Sequence, residues 1–229
     1  VTVIYFGIAE NWSYAAPVAA IGGSLLATGL LCCVAIWVKS TVTLILFGIG
    51  LSSLAGALMA LVTNFAPNPF YLSDMITWML GSVANRSLLD IALVLPFMLA
   101  GLLLLLSQRK GLTLLSLGED TASTLGLSLT TTRICVVLGA GLATGAAVSL
   151  AGVIGFVGIV TPHLVRPLVN YEPGKTIIPS AVLGGVFLVL IDIGVRIIST
   201  NVELKIGVLA ALVGAPIFIW IASKSGRHE

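Results

Sequence analysis

Apolar residues in this 229-residue chain fall in long blocks that recur along nearly its whole length. Six blocks, at 15–38, 41–65, 88–107, 129–151, 176–200 and 206–223, each supply the roughly 17–25 residues that an α-helix needs to span about 30 Å of hydrocarbon. A transmembrane β-barrel would instead alternate apolar and polar residues in segments of about ten. The blocks therefore predict an all-α polytopic membrane protein, a single transmembrane domain over 1–229. Composition agrees. Charged residues make up 9% of the chain and hydrophobic residues 58%, whereas a soluble domain carries about 25% charged residues. Too few charges remain to cover a water-facing surface, and a net charge of +2 leaves no basic footprint for nucleic acid.

The first nine residues, VTVIYFGIA, are apolar but too short to cross. They have no basic leader region or small-residue cleavage site, so they are not a signal peptide. The expectation is the end of a helix whose earlier part is absent from this sequence, with a short interfacial helix as the alternative.

Residues 153–169 (VIGFVGIVTPHLVRPLV) are interrupted by Gly155, Gly158, Pro162 and Pro167, which predicts a broken helix and a candidate hinge. Basic residues decide whether this element crosses, because cytoplasmic loops concentrate Lys and Arg. If it crosses, Lys39, Arg109, Lys110, Arg133, Arg166, Lys175, Lys224 and Arg227 share one side, against Arg86 and Lys205, with Arg196 near that second edge. If it does not, the two sides balance. The asymmetric partition favours seven traverses, with the C-terminus cytoplasmic and the 15–38 helix starting outside.

Two connections exceed a turn. Residues 66–87 lie outside and hold a short amphipathic stretch, 73–82, with Met75, Trp78 and Met79 on one face, the pattern of an interfacial helix with an aromatic anchor. Residues 108–128 lie inside and are rich in leucine. Within them a short helix, 119–125, has Glu119 and Asp120 in its first turn, where the helix dipole favours acids. A lipid-facing amphipathic helix would carry Lys and Arg on its polar face, so a protein partner suits this segment better than the membrane surface.

Small residues recur every fourth position at Gly48, Ser52, Gly56 and Ala60, at Gly141, Gly145 and Ser149, and at Ala16, Ala20, Ser24 and Thr28. Such faces bring helices into close contact in lipid, and the Gly48–Ala60 face is alternatively the wall of a pathway for a bulky solute. Asp192 and Arg196, four apart with the acid first, form an intrahelical pair. Arg196 also stands at the outer rim, where a partner could dock, and Asp192 is a weaker candidate for a proton relay. Cys32, Cys33 and Cys135 read as small packing residues, and no residue set has metal-ligand spacing.

The string LLSLGEDTASTLGL, followed by GVIGFVGIVTPHLVRPLV, PSAVLGGVFLVLIDIGVR and IGVLAALVGAPIFIW, resembles the permease subunits of ABC importers, the FecCD-like family for iron–siderophore complexes, haem and cobalamin. The resemblance covers about residues 15–223 and implies a pattern of about ten helices, of which about the first three are missing here. It implies a dimer with a second permease subunit, identical or not, and a pathway at the interface. It implies two cytoplasmic ATPase subunits that bind ATP, and a periplasmic binding protein that delivers one chelate to the bacterial inner membrane. By position, Gly118, Glu119, Asp120, Ala122, Leu125 and Gly126 in the 108–128 segment would couple to the ATPase. Arg196 would meet the binding protein, and Gly48, Ser52, Gly56 and Trp78 would border the pathway. The chain has no G-x-x-x-x-G-K-[ST], so it is expected to hold no ATP site, no cofactor and no enzymatic activity of its own. The residues alone leave open an ion-coupled secondary transporter or channel, and a membrane scaffold that transports nothing.

Overall fold

The computed structural model describes residues 2–8, 14–38, 40–84, 86–198 and 204–225. Lys39 and Arg227 of the charge partition, and residues 199–200 of the fifth block, lie outside them. Among the described residues the chain is helical, with no strand. Its helices are α1 (Thr2–Tyr5), α2 (Ala15–Trp37), α3 (Thr41–Asn64), α4 (Pro69–Leu80), α5 (Leu88–Ser107), α6 (Arg109–Leu115), α7 (Glu119–Thr124), α8 (Leu129–Ala151), α9 (Val157–Val165), α10 (Pro173–Ile198) and α11 (Ile206–Ser225). A 3-10 turn, Arg166–Val169, follows α9. Helices α2, α3, α5, α8 and α10 are long and apolar enough to cross a membrane, and Val157–Val169 and Ile206–Ile221 are shorter apolar stretches.

Local chemistry sets the ends. Asn68 caps α4 by accepting the Tyr71 N–H at 2.9 Å, and Pro69 occupies the first helical position, where its missing N–H costs nothing. This cap starts the helix four residues before the expected 73–82 stretch. Met75 is buried, and Trp78 and Met79 are half-buried. Ser87 and Asp90 close a reciprocal capping box on α5. Pro173 opens α10 three residues early for the same reason as Pro69.

The core is built on α8, which packs against α2 on one side and α5 on the other. Two of the three small-residue stripes meet there. A Cβ on Gly141 would strike the Thr28 side chain, and one on Gly145 would strike Ser24. On the other flank, a Cβ on Gly101 of α5 would sit 2.6 Å from the Gly139 carbonyl oxygen and 2.7 Å from the Ala143 nitrogen. The third stripe packs differently. Gly48 is half-buried, with room for a Cβ 3.8 Å from Leu31, while Ser52, Gly56 and Ala60 are exposed, and α3 buries none of its residues.

Helices α9, α10 and α11 form a second cluster around Ile191, Val195, Ile206 and Ala210. Residues 152–172 run from one end of the bundle to the other. At the α4 end, the Ser82 N–H donates to the Ala151 carbonyl at 2.8 Å, and Gly207 at the start of α11 abuts the Leu80 carbonyl. At the α6 end, the Gly174 N–H donates to the Thr113 hydroxyl at 3.3 Å. The basic residues whose positions are described divide between these ends as expected.

The break in this element sits earlier than expected. Gly158 and Pro162 lie inside α9, so Pro162 does not end it. The chain turns over 152–156, where Gly152 has φ 71° and Phe156 φ 66°. Gly155 belongs to that stretch. A left-handed phenylalanine costs on the order of 1–3 kcal/mol, and here it forms the N-cap of α9 with its ring base against Gly214.

Candidate functional site

The α6 end carries the most distinctive arrangement. Residues 108–128 form two helices, α6 and α7, rather than the single one expected, joined through Gly118 at φ 97°. Gly126, at φ 86°, lets the chain turn from α7 towards α8. Ala122 is fully buried, and its carbonyl accepts the Leu127 N–H at 3.0 Å. It anchors α7 to the bundle rather than facing outward. Asp120 is exposed. Leu117 and Leu125, which flank α7, are 59% and 60% exposed, so two large apolar side chains stand out at its ends.

Glu119 points to the bundle as well. One carboxylate oxygen pairs with Arg133 of α8 at 2.7 Å, and the other accepts a hydrogen bond from the Thr41 hydroxyl at the start of α3. A second Arg133 nitrogen donates to the Val38 carbonyl, the C-cap of α2, at 3.3 Å. Arg133 is 7% exposed. One ion pair therefore gathers α7, α8 and the α2–α3 corner. Sequence reasoning placed Arg133 only as a charge on one side. The available signal was a lone arginine in the second turn of an otherwise uncharged helix, which in lipid requires a partner.

The Thr41 hydroxyl, and after it the Arg133 guanidinium, hold the Glu119 carboxyl below its ordinary value of 4.5. A depressed carboxylate contributes stability above its unfolded pKa, and that contribution fades as pH falls through the folded one. Glu119→Gln should therefore lower thermal stability by the same amount throughout pH 6–8. The difference from the unaltered protein should close only as the medium is acidified below about 4.5, as melting curves across that range would record.

Two of the cavities toward the α4 end share Trp78. The larger, about 540 Å³, is walled by Ala20, Ser24 and Ala27 of α2, Ala55 and Met59 of α3, Trp78 of α4 and Gly145 of α8. Trp78 thus faces a cavity, whereas Gly48, Ser52 and Gly56 are not among its walls; α3 contributes Ala55 and Met59 instead. A neighbouring cavity of about 430 Å³ shares Trp78 and is more polar, with Tyr71, Asp74, Thr77, Arg86 and Asp90. These five polar residues lie within residues 71–90, a stretch whose sequence reading rests on its apolar face of Met75, Trp78 and Met79 and does not group them. At the same end, Arg196 Nε donates to Asp192 at 2.8 Å, and the arginine side chain is 70% exposed.

The same arrangement of helices occurs in known transport proteins. Residues 1–224 match the FecCD transport family. The chain is 38% identical over 188 residues, 82% of its length and 53% of the relative's, to the uncharacterized ABC transporter permease protein YvrB of Bacillus subtilis. It is 34% identical over 232 residues to the vitamin B12 import system permease protein BtuC of Salmonella typhi, covering 99% of this chain and 69% of that one. Among solved structures, an inward-facing conformation of a transporter assigned to the metal-chelate ABC type superposes with a TM-score of 0.81 at 30% identity, over 92% of this chain and 72% of the other. The chain thus spans about half the length of the first of these relatives and about 70% of the others.

Proposed function

The chain belongs to the FecCD transport family, and from that premise we propose that it is the membrane-spanning permease of an ATP-driven importer that carries a metal chelate inward across a bacterial inner membrane. The supporting observation is α7: a short helix anchored by Ala122 and Glu119 that holds Leu117 and Leu125 out from an apolar bundle. Those leucines, with Asp120, Gly118 and Gly126, form the surface for a cytoplasmic ATPase subunit, one on each permease of a dimer. ATP is bound there, on the partner. The concentration of basic residues at the α7 end supports a cytoplasmic assignment for that end and for the C-terminus. The small-residue face of α3, with Ser52 and Gly56 exposed and Gly48 half-buried, borders the pathway against the second permease subunit, and Trp78 stands at its outer end.

Import follows by alternating access. Closure of the ATPase pair displaces α7, and the helices around the interface switch between outward and inward arrangements. The turn at 152–156, with Gly155, gives α9 freedom to tilt; Gly158 and Pro162 soften α9 itself. The cargo is a metal chelate in the broad sense: a ferric siderophore, haem or cobalamin.

The decisive experiment reconstitutes the permease with its ATPase and binding-protein partners and measures ATP-dependent uptake of cyanocobalamin, haemin and a ferric hydroxamate into proteoliposomes. Uptake of one of the three, abolished by omitting the ATPase, is expected. Uptake driven by an ion gradient with no ATPase present would overturn the assignment. The pairing of Asp192 with Arg196 speaks against a proton relay, and Asp192→Asn should leave uptake ATP-dependent.

Arg196, at the outer rim, is the docking residue for an acidic patch on the binding protein. Arg196→Glu should weaken docking about tenfold at low ionic strength and much less in high salt, because exposed charges are screened. Surface-immobilised binding protein titrated with permease in nanodiscs reads this directly, and an unaltered affinity at low salt would remove Arg196 from the interface.

A further inference from the structure

The coupling end contains more than a docking surface. Helix α3 buries no residue and is held to the rest of the chain chiefly through α2, so it needs a firm attachment at its base if force is to reach it. Such an attachment exists where α7 meets it. Glu119 takes the Thr41 hydroxyl on one oxygen and Arg133 on the other, and Arg133 reaches on to the Val38 carbonyl. These contacts join residues 78 and 95 positions apart in sequence. We infer that Arg133 is a positioning residue that fastens the coupling helix to the α2–α3 corner, so that displacement of α7 by a cytoplasmic partner moves α3 as one body with it.

The chemistry of the guanidinium is what the joint requires. Two of its nitrogens serve two acceptors that belong to different elements, a carboxylate on α7 and a helix-end carbonyl on α2. A planar fork does this in one fixed geometry, whereas an ammonium is a point charge on a flexible stem. Arg133 is itself anchored on α8, the helix packed most extensively against its neighbours, and its own side chain is buried while Glu119 stays partly exposed. Lysine would retain charge and could keep the Glu119 pair, but would release the α2 carbonyl.

This inference rests on the importer reading, and its test separates the two. The full complex of permease, ATPase and binding protein is reconstituted, and uptake of cyanocobalamin, haemin or a ferric hydroxamate, whichever the unaltered complex carries, is measured alongside ATP hydrolysis. In Arg133→Lys, cargo moved per ATP should fall at least about tenfold, within the range of known coupling between sites. ATPase subunits should still copurify in the unaltered ratio, and hydrolysis should stay within about twofold. Thr41→Val removes one hydroxyl at an exposed position and should lower the same ratio by a smaller factor, which keeps the test open if Arg133→Lys does not assemble. Unaltered transport per ATP in both variants would overturn the joint. So would a parallel loss of assembly, hydrolysis and uptake, which marks a residue that only supports the fold. Failure of the unaltered permease to bind any ATPase would instead overturn the importer reading itself.

Discussion

Replacing Gly145 with alanine is expected to destabilise the detergent-solubilised protein by on the order of 1–3 kcal/mol, and adding Ser24→Gly to the same chain should recover most of that loss. The added methyl group meets both the hydroxyl and the Cβ of Ser24. No rotation of the serine removes a clash with its own Cβ, so the α2–α8 contact must open. In lipid this contact has no hydrophobic drive behind it, because the tails are as apolar as the side chains; it is held by close van der Waals packing. Gly101→Ala should behave differently. The atoms within 2.6 and 2.7 Å of its new Cβ are main-chain atoms of Gly139 and Ala143, and no second substitution deletes a backbone. Its loss should therefore persist in every side-chain background. Thermal unfolding of the three variants, read by tryptophan fluorescence or scanning calorimetry, distinguishes the two cases. Recovery of Gly101→Ala by a side-chain change on α8 would refute the packing described for α5.

The second large effect lies at the opposite end of the logic, where stability is untouched and function disappears. Leu117→Asp together with Leu125→Asp should abolish copurification of ATPase subunits and reduce ATP-dependent uptake by more than about tenfold, as expected when apolar anchors at the centre of an interface are lost. Both leucines are about 60% exposed, so placing carboxylates there costs the isolated permease little. Ala122→Asp is the contrasting control. That residue is fully buried, so the substitution should damage α7 itself and lower the melting temperature. Retained ATPase binding by the double aspartate variant would show that the engine grips some other surface.

These two expectations also mark what could be read from residues alone. Six helices fall within a few residues of the six apolar blocks, and the short helix at 119–124 lies where Gly118, the two acids and Gly126 suggested it. The errors were local. Asn68–Pro69 starts the helix that the amphipathic pattern begins only at 73, and α6 escapes the pattern because RKGLTLL follows α5 after only Gln108. Pro162 was read as a breaker, yet it sits within α9 while Phe156 makes the turn. The site was legible in part. Leu125 is exposed, whereas Ala122 faces the core and Glu119 is engaged with Arg133 and Thr41.

Hydropathy by itself determined the class of the chain and the positions of its long apolar helices. Hydrocarbon offers no partner to a peptide group, so each apolar block must satisfy its own hydrogen bonds as a helix, and that requirement is local. Which faces meet was decided only by the tertiary structure. Helices apolar on every side carry no stripe that marks the interior, and all three small-residue runs looked equivalent in sequence. Two of them interlock because Ser24 and Thr28 fit the hollows at Gly145 and Gly141, while the third is left exposed on α3. The pairing of Glu119 with Arg133 and Thr41 likewise depends on three helix ends converging at one point, a relation between distant segments that no pattern along a single segment encodes.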